Sequence, residues 1–315
     1  MSDLLGLAFP FFGLIFLGYG CGRFVRLPEE GLAWLSFFII YLALPALFYR
    51  IVAQTPFHEL VNPGFILAVV VSTSFTACLA LAVSLWLRRG NLAEAAIATT
   101  VGAYANVGYM GPGLTLAALG QEAATPAALI FALDSMFFFT LVPLLVAVRS
   151  KQGTLAGTLV LVVRRVLTHP FNIATLLGVL AAFLQFRAPD AVERMLDFLK
   201  NAAAPCALFT LGVTVALRPL GRTPPELAPL LVIKLIIHPL VALVCLTTIA
   251  SVSRSWVETG VLMASLPPAL NCFVLARQYQ VYVEQASAAV LVGTVASVAT
   301  VTGVLYLLQQ HLLPL

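Results

Sequence analysis

Residues 266–279 read Leu-Pro-Pro-Ala-Leu-Asn-Cys-Phe-Val-Leu-Ala-Arg-Gln-Tyr and interrupt an apolar segment that begins at Trp256. Pro267 and Pro268 have no backbone N–H, and each leaves a carbonyl four residues earlier without its helical partner. A lipid bilayer tolerates such a break only where protein covers it or where it lines a wet cavity. Asn271 supplies a polar side chain at the same place. The stretch therefore predicts a functional break in a membrane-spanning helix.

A second interrupted stretch lies in the first half of the chain, at residues 103–113. Paired interruptions in the two halves of a membrane protein point to a binding site where the broken helices meet. The amides of Asn106 and Asn271, and the partial positive charge at half-helix amino termini, suit a carboxylate. The alternative is a pair of kinked packing helices whose asparagines satisfy freed backbone groups. The predicted substrate-binding residues are Asn106, Gly108, Pro112, Pro267, Pro268 and Asn271.

Composition places the whole chain in a membrane. Of its 315 residues, 61% are hydrophobic and 10% are charged, and the mean hydropathy of +1.02 is far above that of soluble domains. The net charge of +4 comes from side chains that mark loops between spans, so no nucleic-acid partner is indicated. The five cysteines form no C-x-x-C pair and have no histidine at metal spacing, so we expect neither a metal site nor a cofactor.

Apolar runs of about the 20-residue spanning length recur along the chain. They predict an all-α integral membrane protein with ten transmembrane helices, in which helices 4 and 9 are broken. The predicted spans are residues 4–22, 31–54, 63–87, 92–119, 123–148, 166–186, 195–217, 226–250, 256–279 and 284–312.

The distribution of Lys and Arg predicts the orientation, because basic residues favour cytoplasmic loops. With the amino terminus outside, the inner loops hold Arg23, Arg26, Arg88, Arg89, Arg149, Lys151, Arg164, Arg165, Arg218, Arg222 and Arg277. The outer side then holds only Arg50, Arg187, Arg194, Lys200 and Arg254. We therefore expect both termini to face outward.

The two halves of the chain also resemble each other. Pro10-Phe11 recurs as Pro170-Phe171, Leu17-Gly18 as Leu177-Gly178 and Pro45 as Pro205, all at a spacing of 160 residues. Several matches at one spacing favour a duplicated unit. Five spans is an odd number, so the second copy enters the membrane upside down. This predicts two inverted five-helix repeats, residues 1–150 and 151–315, whose fourth helices cross.

Two ionisable side chains, Asp134 and Lys234, fall inside predicted spans at similar depth. A charge is costly there and normally faces a cavity or a partner, so we predict a charge-coupling role, either as an ion pair or with Lys234 neutralising the substrate. Static packing between two helices is the alternative. His238 lies one helical turn after Lys234, and it is predicted either as a proton carrier or as a hydrogen-bonded residue beside Pro239.

No enzyme motif is found: the sequence has no H-E-x-x-H, G-x-S-x-G or P-loop. Asp134 and Lys234 also have opposite charges, unlike the carboxylate dyad of an aspartyl protease. We therefore do not expect an enzyme.

The motifs resemble those of one known family. Residues 266–279 resemble the ninth-span motif of the auxin efflux carriers, which include plant PIN proteins and bacterial carriers for acids such as malonate. Residues 105–111, Ala-Asn-Val-Gly-Tyr-Met-Gly, resemble the fourth-span motif, and residues 42–48, Leu-Ala-Leu-Pro-Ala-Leu-Phe, the second-span motif. The resemblance extends over essentially the whole chain.

This resemblance implies a scaffold made of spans one, two, six and seven, and a transport bundle made of spans three to five and eight to ten. It implies an elevator-like motion, a homodimer formed through the scaffold, and an organic anion held at the crossing by Asn106 and Asn271. Lys234 is similar to a lysine of bacterial members.

We therefore predict a secondary transporter for a small organic carboxylate in the bacterial inner membrane, with the lipid bilayer and the anion as its partners. One alternative is a sodium-coupled carrier with the architecture of bile-acid symporters, which also cross two broken helices. Another is a membrane receptor that binds the anion without moving it.

Overall fold

The computed structural model describes residues 2–25, 31–88, 91–150, 170–217 and 224–313, together with residues 160, 164, 167 and 168. Its principal helices are α1 Ser2–Val25, α2 Leu32–Gln54, α3 Pro63–Leu87, α4 Leu92–Ala103, α5 Gly111–Leu119, α6 Ala124–Ser150, α7 Pro170–Leu184, α8 Asp190–Ala216, α9 Leu227–Thr248, α10 Arg254–Ser265, α11 Leu270–Tyr279 and α12 Val283–Gln309. Short helical turns at Phe57–Leu60 and Gln121–Ala123 lie between them. The regular structure of the described residues is helical.

Within the residues that the structure describes, six helical stretches are long and apolar enough to cross a membrane by length and composition. They are Leu32–Gln54, Pro63–Leu87, Gln121–Val146, Asp190–Ala216, Leu227–Thr248 and Val283–Gln309. Shorter apolar helices occur at Phe9–Val25, Leu92–Ala103 and Asn172–Leu184. The number, length and apolar character of these helices confirm the prediction of an all-helical, multi-pass integral membrane protein.

Helices are interrupted at both predicted places. Residues 104–110 separate α4 from α5, and residues 266–269 separate α10 from α11. Each break leaves the carboxyl end of one short helix and the amino terminus of the next in the protein interior. Pro112 does not lie in the first break itself. It lies in the first turn of α5, where a missing N–H costs little, and the break is formed by the residues before it.

Two other prolines are accommodated without a break. Pro45 and Pro239 each follow a wider π-helical turn, at residues 39–43 of α2 and 233–237 of α9. A proline in a helix has no N–H to donate, and its ring clashes with the carbonyl of the residue four positions earlier. The wider π turn in the preceding backbone accommodates both the ring and the missing hydrogen bond. The turn in α9 contains Lys234.

The helices form two groups by their packing. The first, called here the glycine-packed group, consists of α1, α2, α7 and α8, in which α8 packs on α1 and α2, and α7 packs on α2. The second, called the polar group, consists of α3 to α6 and α9 to α12, with α9 packed on both α3 and α10. Phe48 of α2 stacks on Phe131 of α6 between the groups, with ring centroids 3.8 Å apart.

Ion pairs mark opposite ends of the helices. At one end Arg88, which follows α3, contacts Glu94 of α4 and Glu226 at the start of α9. At the other end Arg50 of α2 contacts Glu193 and Asp197 of α8. We call these the Arg88 end and the Arg50 end. Six basic residues assigned above to the inner loops lie outside the described residues: Arg26, Arg89, Lys151, Arg165, Arg218 and Arg222.

Candidate functional site at the paired helix breaks

The two breaks lie against each other and pair through their backbones. Ala105 and Pro268 form an isolated antiparallel bridge. The N–H of Asn106 donates to the carbonyl of Pro267 at 2.8 Å, and the N–H of Ala269 donates to the carbonyl of Tyr104 at 2.9 Å. Backbone groups freed in the middle of a membrane protein must find partners, and each break supplies them to the other.

Asn106 is completely buried and carries a donor without a partner. Its side-chain Oδ1 accepts from the N–H of Tyr109 at 3.4 Å, and its backbone carbonyl accepts from the N–H groups of Met110 and Gly111. Its amide Nδ2 is buried and has no hydrogen-bond partner. Buried polar groups are nearly always paired, so this orphan donor is one that a bound acceptor would satisfy.

Asn271, the second residue of α11, is half-buried and has a protein partner. Its Nδ2 donates to the hydroxyl of Tyr104 at 3.1 Å, and that hydroxyl lies 3.2 Å from Ser135 Oγ. The ring of Tyr104 stacks on Phe138, with centroids 4.6 Å apart. Tyr104 thus connects both breaks to α6.

Sequence reasoning missed Tyr104 and Ser135. Tyr104 falls inside the interrupted stretch that the prediction identified, so its position in the break was a usable signal. Ser135 follows Asp134 in an apolar helix, and nothing in the sequence marks it as a site residue. Only the fold brings its hydroxyl close to that of Tyr104.

The remaining predicted residues frame the breaks. Pro267 and Pro268 form the second break itself, and Pro267 contributes the carbonyl that pairs with Asn106. Gly108 lies in the turn between α4 and α5, where a Cβ atom would come within 3.0 Å of the Phe131 ring. Helices α5 and α11 both begin at the breaks, so both direct the positive ends of their dipoles there.

Lys234 is completely buried and contacts the end of a half-helix. Its Nζ donates to the carbonyl of Ala264 at 2.6 Å, in the last turn of α10. Nζ also lies 3.1 Å from His238 Nδ1, so the adjacency expected from their spacing is present. An ammonium is only a donor, which makes Nδ1 the acceptor in this contact. A positive charge beside a helix carboxyl terminus is electrostatically favourable.

Asp134 is also buried but has a different partner. Its Oδ1 accepts a hydrogen bond from Thr73 Oγ1 at 2.8 Å, which ties α6 to α3. Asp134, Thr73, His238 and Ala264 line a cavity of about 20 Å³, which has room for one water molecule. Among the described residues, no group of three or more His, Cys, Asp or Glu side chains is placed to hold a metal ion.

Larger cavities open at both ends between the two helix groups. At the Arg88 end a cavity of about 500 Å³ is lined by Tyr109 of the first break, by Leu270, which follows the second break, and by Arg277. At the Arg50 end a cavity of about 530 Å³ has Leu116, Lys200 and Trp256 in its lining. Within the described residues, the lining of this second cavity includes no residue of either break. Of these two cavities, the one at the Arg88 end is the one that has a residue of a break in its lining.

Comparison with known proteins gives consistent matches along the chain. The membrane transport protein family matches residues 4–305. A Rhizobium meliloti protein named "Putative malonate transporter" is 48% identical over 100% of this chain and 98% of its own length. A Methanothermobacter thermautotrophicus "Uncharacterized transporter" is 25% identical over 91% of this chain and 92% of its own length. "Auxin efflux carrier component 8" of Arabidopsis thaliana is 22% identical over 95% of this chain and 96% of its own length.

These matches cover nearly the whole chain, and they agree with its helical, apolar structure. They identify a membrane transporter rather than an enzyme. The chain therefore belongs to the membrane transport protein family, the family of the auxin efflux carriers.

Proposed function

We propose that this protein is a secondary transporter that carries a small organic anion, a monocarboxylate or dicarboxylate, across the bacterial inner membrane. The observation that carries the proposal is the unpaired, buried Nδ2 of Asn106. It lies in the first break, where α5 begins, and this break is paired with the second, where α11 begins. An amide donor and a helix amino terminus both attract a carboxylate. Asn271, Gly108, Pro112, Pro267 and Pro268 complete the proposed site.

The proposed architecture is ten spans in two inverted repeats, residues 1–150 and 151–315. Matched glycines support it. Gly18 of α1 packs on the backbone of Phe209 in α8, and its counterpart Gly178 of α7 packs on Val52 and the carbonyl of Tyr49 in α2. In the proposed repeats the first span corresponds to the sixth and the second span to the seventh. The contact of α1 with α8 is then equivalent to the contact of α7 with α2, as an internal two-fold relation requires.

We further propose that the polar group moves against the glycine-packed group in an elevator-type, alternating-access motion. The cavity at the Arg88 end lies between the two groups and reaches the breaks, as a path opened by such a motion would. The glycine-packed group would be the scaffold through which a homodimer forms. Both termini would face outward, with the Arg88 end on the cytoplasmic side.

The anion is proposed from the chemistry of the site and from the relatives. The name of the 48%-identical Rhizobium meliloti relative specifies malonate, a dicarboxylate, and the plant relatives are named for auxin. Lys234, buried near the second break, would compensate negative charge on the substrate, and Asp134 and His238 would couple that charge to movement. A buried lysine and a buried carboxylate that both lie near a substrate site are the usual parts of such coupling.

The test is counterflow of labelled malonate, or of an aromatic carboxylate, in proteoliposomes. We expect Asn106→Ala to lower the apparent transport efficiency by about 10- to 100-fold, because a hydrogen bond to a charged group is lost. Asn201→Ala is the matched control, since Asn201 lies exposed on α8 away from the breaks. Wild-type exchange by Asn106→Ala would remove Asn106 from the site, and absence of carboxylate exchange by the wild type would exclude the proposed function.

Replacement of sodium by choline during the same assay addresses the sodium-coupled alternative. Uptake that continues unchanged in choline is the result expected for the proposed carrier. Counterflow itself excludes a receptor that binds the anion without moving it, because exchange requires both sides of the membrane to be reached.

A further inference from the structure

A pair of buried threonines connects the two helix groups at the Arg50 end. Thr55 directly follows α2 of the glycine-packed group, and Thr125 is the second residue of α6 in the polar group. Their hydroxyl oxygens lie 3.1 Å apart, and both residues are buried. Thr55 Oγ1 also donates its hydrogen to the carbonyl of Ile51 at 2.9 Å. A hydroxyl has one hydrogen to donate, so Thr125 is the donor in the bond between the groups.

The same two helices make a second contact deeper in the protein. Phe48 lies two helical turns before Thr55 on α2, and Phe131 lies nearly two turns after Thr125 on α6. Their stacked rings are therefore about 10 Å further from the Arg50 end than the hydroxyl pair. The Phe131 ring also lies against the first break, because a Cβ atom at Gly108 would be 3.0 Å from it. The two pairs thus lie one behind the other between the Arg50 end and the first break.

The cavities at the two ends agree with this order. The cavity of about 530 Å³ at the Arg50 end has both Thr55 and Thr125 in its lining, and none of the described residues that line it belongs to a break. The cavity of about 500 Å³ at the Arg88 end has Tyr109 of the first break in its lining. The threonine pair is therefore found where the cavity at the Arg50 end stops short of the breaks.

We infer that Thr55 and Thr125 form the gate that closes the anion site to the Arg50 side, with Phe48 and Phe131 as a second barrier behind it. This inference rests on the proposed function and names the residues that alternating access must separate. The donor and the acceptor belong to different helix groups, so their bond must break when the polar group moves. One such bond changes an equilibrium by about five-fold, which favours the closed form and still permits opening in every transport cycle.

The first experiment links the gate covalently. Two cysteines whose γ atoms replace oxygens 3.1 Å apart can form a disulfide with little backbone movement. We expect oxidation of the double variant Thr55→Cys/Thr125→Cys with copper phenanthroline to lower malonate counterflow in proteoliposomes to the level of empty liposomes. Dithiothreitol should restore it. Mass spectrometry of the linked peptides measures how much of the protein carries the disulfide.

The controls for this experiment are the wild type and the two single variants, treated with the same oxidant. All of them contain the five native cysteines, so they report any effect of oxidising those thiols. They should keep their counterflow after oxidation. The inference is overturned if the linked double variant exchanges malonate as the unlinked one does, or if oxidation forms no disulfide between the two positions.

A second measurement distinguishes a gate from a static contact and uses a milder change. Thr125→Val removes the donor of the hydrogen bond and keeps the shape of the side chain. The apparent affinity on each side of the membrane follows the fraction of the protein that is open to that side. We therefore expect the KM for malonate at the Arg50 end, divided by the KM at the Arg88 end, to fall about five-fold, as measured in right-side-out and inside-out vesicles.

Two variants are matched to Thr125→Val. Thr125→Ser keeps the hydroxyl and should keep the wild-type ratio of the two KM values. Thr247→Val should keep it too, because Thr247 is exposed on α9 and its hydroxyl donates within its own helix. A wild-type ratio in Thr125→Val, or an equal shift in Thr125→Ser, would overturn the inference. Wild-type protein that exchanges neither malonate nor an aromatic carboxylate would instead refute the proposed function.

Discussion

The glycine-packed group and the polar group hold their helices together in different ways. In the first group Gly18 of α1 and Gly212 of α8 lie against the backbone of the facing helix, where no larger side chain would fit without a shift. Within the described residues of α1, α2, α7 and α8, the buried polar side chains are Arg50, Asn172 and Thr210.

The polar group is built around buried polar and charged side chains instead. Each of its long elements contributes some, among them Thr73, Asn106, Asp134, Lys234 and His238. Such groups are costly in a bilayer and rigidify a structure only when each has a partner. Close backbone packing gives a static interface, whereas a network of polar contacts can exchange partners. This difference is the reason that the proposed function assigns the charged substrate to the polar group.

The ionic networks at the Arg88 end and the Arg50 end also differ, because the first is more deeply buried than the second. At the Arg88 end Glu226 is completely buried, and its Oε1 accepts from Arg88 and from the Tyr282 hydroxyl, while Arg88 also lies 4.9 Å from the centre of the Tyr282 ring. Burial and the nearby Glu226 carboxylate raise the pKa of the Tyr282 hydroxyl, so it remains a donor. At the Arg50 end the carboxylates of Glu193 and Asp197 are partly exposed.

The largest expected effect comes from filling a glycine contact in the first group. In Gly18→Ala the new methyl group would meet the carbonyl of Phe209, and the two backbones must separate. We expect a loss of about 3 kcal/mol in the free energy of unfolding, the upper range for overpacking, observed as a lower melting temperature in detergent.

Gly20→Ala, two residues further along the same helix, is the matched control. A Cβ atom at Gly20 meets nothing within 4 Å, so this variant should be as stable as the wild type or slightly more stable. Equal melting temperatures for the two variants would contradict close packing of α1 on α8.

The second effect tests the buried network of the polar group. Glu226→Gln removes one of the two carboxylates that pair with Arg88. We expect it to destabilise the protein by about 2 kcal/mol, which is less than the loss of a fully buried ion pair because Arg88 is 22% exposed. The equivalent change at the Arg50 end, Glu193→Gln, should cost about 0.5 kcal/mol or less, since Glu193 is 30% exposed. Melting temperatures measured side by side give the ranking, and a larger loss in Glu193→Gln would reverse the comparison.

The smallest effect concerns the connection between the breaks. Tyr104→Phe removes the hydroxyl that joins Asn271 to Ser135, and we expect a loss of about 1 kcal/mol, seen as a KM for the carboxylate raised a few-fold. Tyr306→Phe is the control, because Tyr306 is exposed on α12. An unchanged KM in Tyr104→Phe would show that Asn271 does not need this hydroxyl to serve the substrate.

The positions of the two helix breaks could be predicted from the sequence, because prolines and glycines change the backbone at their own positions. A proline removes a particular donor wherever the chain folds, so the breaks beside Asn106 and Asn271 were predictable from residues 103–113 and 266–279. The exact start of α5 was not, because Pro112 is as compatible with the first turn of a helix as with a break.

The sequence by itself determined that this chain is a helical membrane transporter, where its helices break and which polar groups lie at the breaks, because apolar run length and missing backbone donors are local properties. Only the tertiary structure decided how those groups are paired. It assigned Asn271 to Tyr104, Lys234 to the carbonyl of Ala264 and Asp134 to Thr73, and it left Nδ2 of Asn106 unpaired. The physical reason is that a hydrogen bond forms between atoms about 3 Å apart in space, and the chain alone does not specify which distant residues come that close.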